Sequence, residues 1–330
     1  MIAPREALFD TGESATVLPV CDHYAGVEAR MTKSLALQAE LGPVFDVTLD
    51  CEDGAPVGAE AAHAELVAAM LMSAGNLFGR CGARVHPVDH PAFAGDVATI
   101  VGAARSRLAY VMLPKVESAA DIGRAAGAID AASGGLPIPL HALVETHGAL
   151  REVAAIAAHP RIESLSFGLM DFVSAHRGAI PASAMSAEGQ FTHPLVVRAK
   201  LEIAAACHGF AKTPSHCVVT EFGDEAKVAA AARRAARELG YTRMWSIHPS
   251  QIRSIVAAFA PDPAEIEQAA AIIVAAQAAG WAPIRLGGTL HDRASYRYWW
   301  RLLARARRTG VELPGDLARR FFAGDGASLS

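Results

Sequence analysis

Cysteine is scarce and follows no pairing pattern. Cys21, Cys51, Cys81, Cys207 and Cys217 are odd in number, and none belongs to a C-x-x-C pair. This argues against a structural zinc site or a disulfide framework and for a reducing cytoplasm. The five read as small buried hydrophobes. Aromatic residues make up only 6% of the chain and do not alternate with basic ones, and the net charge is −4, so nucleic acid is not an expected partner. No apolar run reaches the roughly 18 residues of a membrane span, so no membrane is expected. Met1-Ile2-Ala3-Pro4-Arg5-Glu6 has no signal-peptide core, which makes the cytoplasm the expected location.

What is present is bulk and rhythm. The chain has 330 residues, 52% of them hydrophobic. Eight apolar runs, each followed by a helical stretch, predict strands at 16–20, 44–49, 83–86, 110–113, 138–144, 162–167, 216–219 and 243–247. Repeated β/α units imply parallel pairing with right-handed crossovers. Eight of them predict an α/β fold of the (β/α)8 TIM-barrel type, which takes about 250 residues. Residues 1–280 are expected to form this catalytic barrel. Asp262 and Pro263 start a helix that stops near Gly280, and 289–309 reads as a further helical region. Residues 281–330 are therefore expected to form a small C-terminal helical appendage or lid.

Barrel enzymes carry their chemistry where strands end. Glu145 closes the fifth run and Asp171 follows the sixth. Acids at one end of neighbouring strands, about 4.8 Å apart, can share a divalent cation. An all-oxygen pair suits Mg²⁺ or Mn²⁺. The second run ends in Asp50-Cys51-Glu52-Asp53-Gly54, whose acids suit the holding of metal-bound waters. Arg84 lies inside a short strand, where an unpaired charge is costly, so it needs an anion: the acid cluster or a substrate. Lys115 either pairs with Glu117 or faces the mouth, and His248-Pro249 reads as a rigid turn. Arg293, Arg297, Arg301 and Arg305, four residues apart, form one basic stripe on a helix, either a solvated face or an anion contact.

Asp50-Cys51-Glu52-Asp53-Gly54 is similar to the D-L-E-D-G/A element of the HpcH/HpaI aldolases and citrate lyase β-subunit-like enzymes, which include malyl-CoA and citramalyl-CoA lyases. Leu113-Pro114-Lys115-Val116-Glu117-Ser118, Val144-Glu145-Thr146, Phe167-Gly168-Leu169-Met170-Asp171 and Ile247-His248-Pro249-Ser250-Gln251-Ile252 follow in the family's order. The resemblance implies an oligomeric barrel, a trimer or hexamer, with Mg²⁺ held by Glu145 and Asp171. It implies that Arg84 contacts substrate near a developing enolate. Gly287-Gly288-Thr289-Leu290-His291-Asp292 resembles the family's G-K-M-I-D element, which makes Asp292 the counterpart of an acid or base that serves a neighbouring subunit's site.

The chain departs from the family at strand one, at His86 in place of an asparagine, at Arg293 in place of a proline, and over 174–181. Arg30 and Lys33 remain as phosphate partners for a CoA ester. The resemblance thus implies a Mg²⁺-dependent lyase that cleaves a small-molecule 3-hydroxyacyl-CoA dicarboxylate by a retro-aldol or retro-Claisen reaction. Two alternatives stand beside it: a CoA-independent aldolase that releases pyruvate or another 2-oxo acid, and a non-catalytic binding paralogue within a lyase complex.

Overall fold

Alternating strands and helices close on themselves in the computed structural model, which describes residues 2–9, 18–221 and 223–322. The strands are β1 (Cys21–Ala25), β2 (Phe45–Asp50), β3 (Cys81–Arg84), β4 (Leu108–Leu113), β5 (Leu140–Val144), β6 (Ile162–Phe167), β7 (Thr213–His216) and β8 (Arg243–Ser246). They pair in parallel in chain order, and β8 returns to β1 through Cys21↔Met244. This is the expected (β/α)8 barrel. Among the described residues no helix is long and apolar enough to cross a membrane.

Two strands lie elsewhere than the apolar pattern placed them. β1 occupies 21–25, not 16–20, of which Thr16 and Val17 lie outside the described residues. Its sequence, Cys-Asp-His-Tyr-Ala, reads as polar, yet all five residues are buried, because Asp22 and His23 find partners. β7 occupies 213–216, three residues before the apolar run.

The barrel interior is layered, as an α/β barrel requires. At its N-terminal end Arg243 donates through Nη1 to Asp46 (2.6 Å) and lies 3.1 Å from Asp22, all three fully buried. Thr48 donates to Asp22 (2.7 Å), as does Tyr110 (3.1 Å), and the Tyr110 ring stacks on His141 at 3.8 Å. Above this polar floor, Tyr24, Met112, Leu143, Val218 and Trp245 form an apolar layer. The C-terminal strand ends lie beyond it.

The chain divides into two compact units, 16–258 and a second made of 1–15 with 259–330. The boundary expected at 280 therefore falls earlier, and the N-terminal segment joins the second unit. The reason is a shared core: Leu8, Ile266, Ile273, Tyr296, Trp300 and Leu303 bury one another. Helix Pro263–Ala278 begins as expected, with the Glu265 carboxylate accepting from Asp262 N at 3.0 Å. Thr289–His291, expected to be helical, instead pairs antiparallel with Ile284–Leu286. Gly287 and Gly288 at φ +57° and +82° make the two-residue turn that this hairpin needs. Helix Arg293–Arg308 follows. Residues 323–330 of the expected appendage lie outside the described residues.

Candidate active site

Glu145 stands one residue past β5 and is 3% exposed. It does not cap the helix behind it: Thr146 does, accepting from Ala149 N at 3.0 Å. Glu145 Oε1 instead accepts from the backbone N–H of Lys115 at 2.7 Å. Lys115 has φ +50°, a left-handed conformation that costs a non-glycine residue about 1–2 kcal/mol. Its Nζ is tied to Glu52 and lies 3.1 Å from Asp53. Lys115 thus pairs with the acids after β2, not with Glu117, and its amide is left aimed at Glu145.

The residue after β6 must leave room for that carboxylate. A Cβ on Gly168 would fall 2.1 Å from Glu145 Oε2, so only glycine fits beside it. Three residues on, Asp171 lies in the first turn of helix Leu169–Ser174. No side-chain hydrogen bond of Asp171 is present among the described residues. Burial, then the negative charge of Asp171, pushes the Glu145 carboxyl up to about 8. Two acids disfavour each other's ionisation unless a cation lies between them.

Arg84 ends β3 and is 7% exposed. Asp50 holds one edge of it with both carboxylate oxygens, Nε and Nη2 each donating at 2.6 Å, and Glu52 lies 3.1 Å from Nη1. Burial opposes the Asp50 charge, but Arg84 and the N–H groups of Glu52 and Gly54 hold its carboxyl below the usual range. The guanidinium also lies 5.3 Å from the centre of the Tyr24 ring. Asp50 and Glu52 are therefore engaged by cations: Arg84 finds its anion within the acid cluster, and the acids after β2 orient the basic groups of the mouth.

Arg30 and Lys33 are exposed on helix Glu28–Leu41. Asp292, in the second unit, caps helix Arg293–Arg308, accepting from Ala294 N (3.0 Å) and Ser295 N (3.2 Å). His86 has a partner that the sequence does not reveal. Buried Asp96 accepts from both His86 N (2.9 Å) and Nδ1 (2.7 Å), ten positions away on the next helix. Nothing in linear spacing links the two.

Among the described residues no three His, Cys, Asp or Glu side chains gather as a complete metal cluster. The donor set still fits a hard divalent ion. Glu145, just past β5, and Asp171, in the helix after β6, are two carboxylates that could offer oxygen ligands, and Mg²⁺ commonly takes only one or two from protein and completes its shell with water and substrate.

A family model described as HpcH/HpaI aldolase/citrate lyase matches residues 32–249. The chain belongs to that family. Similar relatives are the L-malyl-CoA/beta-methylmalyl-CoA lyases of Rhodobacter capsulatus and Cereibacter sphaeroides. Each is 30% identical, over 230 and 250 residues, covering 65% and 71% of this chain and 72% and 77% of theirs. A citrate lyase structure from Burkholderia xenovorans is 56% identical, covers 97% of this chain and is itself 99% covered, with a TM-score of 0.84. A Mycobacterium tuberculosis CitE structure with magnesium, acetoacetate and coenzyme A shares the fold at 23% identity and a TM-score of 0.69, with 89% and 99% coverage. This member of the HpcH/HpaI family is an enzyme, a carbon–carbon lyase.

Proposed function

We propose that this protein is a Mg²⁺-dependent lyase that cleaves a 3-hydroxyacyl-CoA dicarboxylate of the malyl-CoA or citramalyl-CoA type. One observation carries the reading: Glu145, buried and held by the Lys115 amide, faces the charge of Asp171 at the rim where Arg84 is fixed. The relatives' names support the substrate class, and the magnesium complex of the M. tuberculosis protein supports the ion.

Glu145 and Asp171 hold the ion. Bound there, Mg²⁺ supplies electrostatic stabilisation of the negative charge that develops as the carbon–carbon bond breaks. Arg84 faces the same charge, and Asp50 fixes the guanidinium plane in advance, so little reorganisation is needed during reaction. Arg30 and Lys33 offer the CoA phosphates two exposed cations. Asp292 serves as acid or base, in a neighbouring subunit if the protein is a trimer or hexamer. An Asp292→Asn variant keeps a good helix cap, so a fall of tenfold or more in turnover reports chemistry, and unchanged turnover removes the role. The unusual sequence leading into β1 favours a second reading, a CoA-independent aldolase that releases pyruvate or another 2-oxo acid.

The test is turnover of malyl-CoA, citramalyl-CoA and CoA-free hydroxy-oxo acids with and without Mg²⁺. Metal-dependent cleavage of a CoA ester is expected. Retained activity after thorough chelation contradicts the assignment.

A further inference from the structure

Where β7 ends, an amine and a thiol share one acceptor. Lys200, on helix Pro194–Gly209, donates through Nζ to Gln190 Oε1 at 2.7 Å, and Cys217 Sγ donates to the same oxygen at 2.9 Å. Lys200 and Cys217 also hydrogen-bond each other. The Gln190 amide is fixed in turn, donating to Val218 O at 3.4 Å. All three side chains are buried: Lys200 and Gln190 are 0% exposed and Cys217 1%.

The surroundings favour a neutral amine. Among the described residues Lys200 has no carboxylate partner, and a buried ammonium without an anion is costly. Its Nζ lies 4.2 Å from the centre of the Phe191 ring, and a second cation, Arg234, lies 4.3 Å from the same centre. His216 stacks on that ring at 5.2 Å, and burial keeps its imidazole neutral. Burial pulls Lys200 down to about 8. A lysine that gives up its proton easily is both a base and a nucleophile. Burial pushes the Cys217 thiol up and Lys200 opposes this, so the base that a buried thiol needs is already beside it. The other cysteines differ. Cys21 and Cys51 lie beside carboxylates, and among the described residues neither Cys81 nor Cys207 hydrogen-bonds an amine.

We propose that Lys200 and Cys217 form a modification site at which hydrogen peroxide joins Nζ to Sγ. Cys217 hands its thiol proton to the Lys200 amine, and the thiolate attacks peroxide and breaks its O–O bond. Sulfur is oxidised to a sulfenic acid, and the hydroxide released takes the proton back from the ammonium and leaves as water. The Nζ lone pair then attacks sulfur. The S–O bond breaks, its oxygen leaves as a second water with a proton from nitrogen, and a sulfenamide S–N bond remains. One peroxide is reduced to two waters, and the chain loses two hydrogens. Sulfenic acids condense even with backbone nitrogen, and an amine is the better nucleophile. Peroxide is little larger than water and reaches buried groups through local opening. The bond ties helix Pro194–Gly209 to the end of β7, one residue from Val218 in the apolar layer beneath the mouth.

The experiment exposes the whole folded chain to hydrogen peroxide, then unfolds, alkylates and digests it with trypsin for mass spectrometry. One linked peptide pair should join Lys200 to Cys217, two hydrogens lighter than its unlinked parts, uncut after Lys200 and lost on treatment with dithiothreitol. Chains unfolded before the peroxide step should not form it, because Gln190 no longer holds the two groups together. Lys200→Met replaces a cation that has no carboxylate partner with an apolar chain of similar length, and should fold and lose the link. Cys217→Ser should lose it as well. Recovery of Cys217 as alkylated thiol after peroxide, or its oxidation without a bond to Lys200, overturns the proposal. So does a link that forms equally in the unfolded chain.

Discussion

The two ends of the barrel interior solve the same problem, buried charge, in opposite ways. At the floor, Asp22 and Asp46 meet Arg243, and Arg80 reaches Asp46 at 2.6 Å, so two acids face two guanidinium groups. At the mouth, five acids face two cations. A charge set balanced by the protein is structural, and breaking it costs stability. A set left short of positive charge is completed by a ligand, and breaking it costs function. The two layers are separated only by the apolar residues between them, so the comparison can be broken one side at a time.

The largest effect belongs to the floor. Arg243→Met removes the only guanidinium beside fully buried Asp22 and one of the two beside Asp46, and should destabilise the fold by about 3–5 kcal/mol, read as a loss of soluble protein or a collapse of the urea midpoint. A near-neutral result would mean that the floor is hydrated. Asp50→Asn is expected to be intermediate. It removes the charge that orients Arg84 and should cost about 1.5–3 kcal/mol, divided between the thermal midpoint and kcat.

The smallest effect has the opposite sign. The Glu145 carboxyl is raised from 4.5 to about 8 in the folded chain. A raised acid contributes stability that is fully present below about 4.5 and is lost as pH climbs through about 8. Metal-free protein should therefore weaken over that window. Glu145→Gln, which cannot ionise, should flatten the slope and stabilise the metal-free chain at pH 8 by on the order of 1–3 kcal/mol. Denaturant melts at pH 5 and pH 8 in chelator read this directly.

Much of this comparison was legible in the chain itself, and the exceptions share one cause. The apolar runs at 44–49, 110–113 and 162–167 mark β2, β4 and β6 within two residues, because one rule, burial of a hydrophobic strand, places them. β1 escaped it, since Asp22 and His23 enter the interior only through partners more than twenty positions away. Glu145, Asp171 and Arg84 stood out as charged residues closing or interrupting apolar strands. The grip of Asp50 on Arg84, the backbone donor at Lys115, the Asp96 behind His86 and the apolar layer of Tyr24 and Trp245 did not. All but the Asp96 contact depend on which strands become neighbours when the barrel closes; that one depends on how the helix after β3 folds back over it. The C-terminal boundary was misplaced for a similar reason: the partners of Ile266 and Ile273 come from 293–308 and from Leu8.

The central claim is that Glu145 and Asp171 share one hard cation. Mg²⁺ titration by calorimetry on the wild-type chain, Glu145→Gln and Asp171→Asn tests it most directly. The account predicts one ion per chain in the wild type and at least tenfold weaker binding in each variant, with both variants folded. Undiminished Mg²⁺ binding in either one contradicts it.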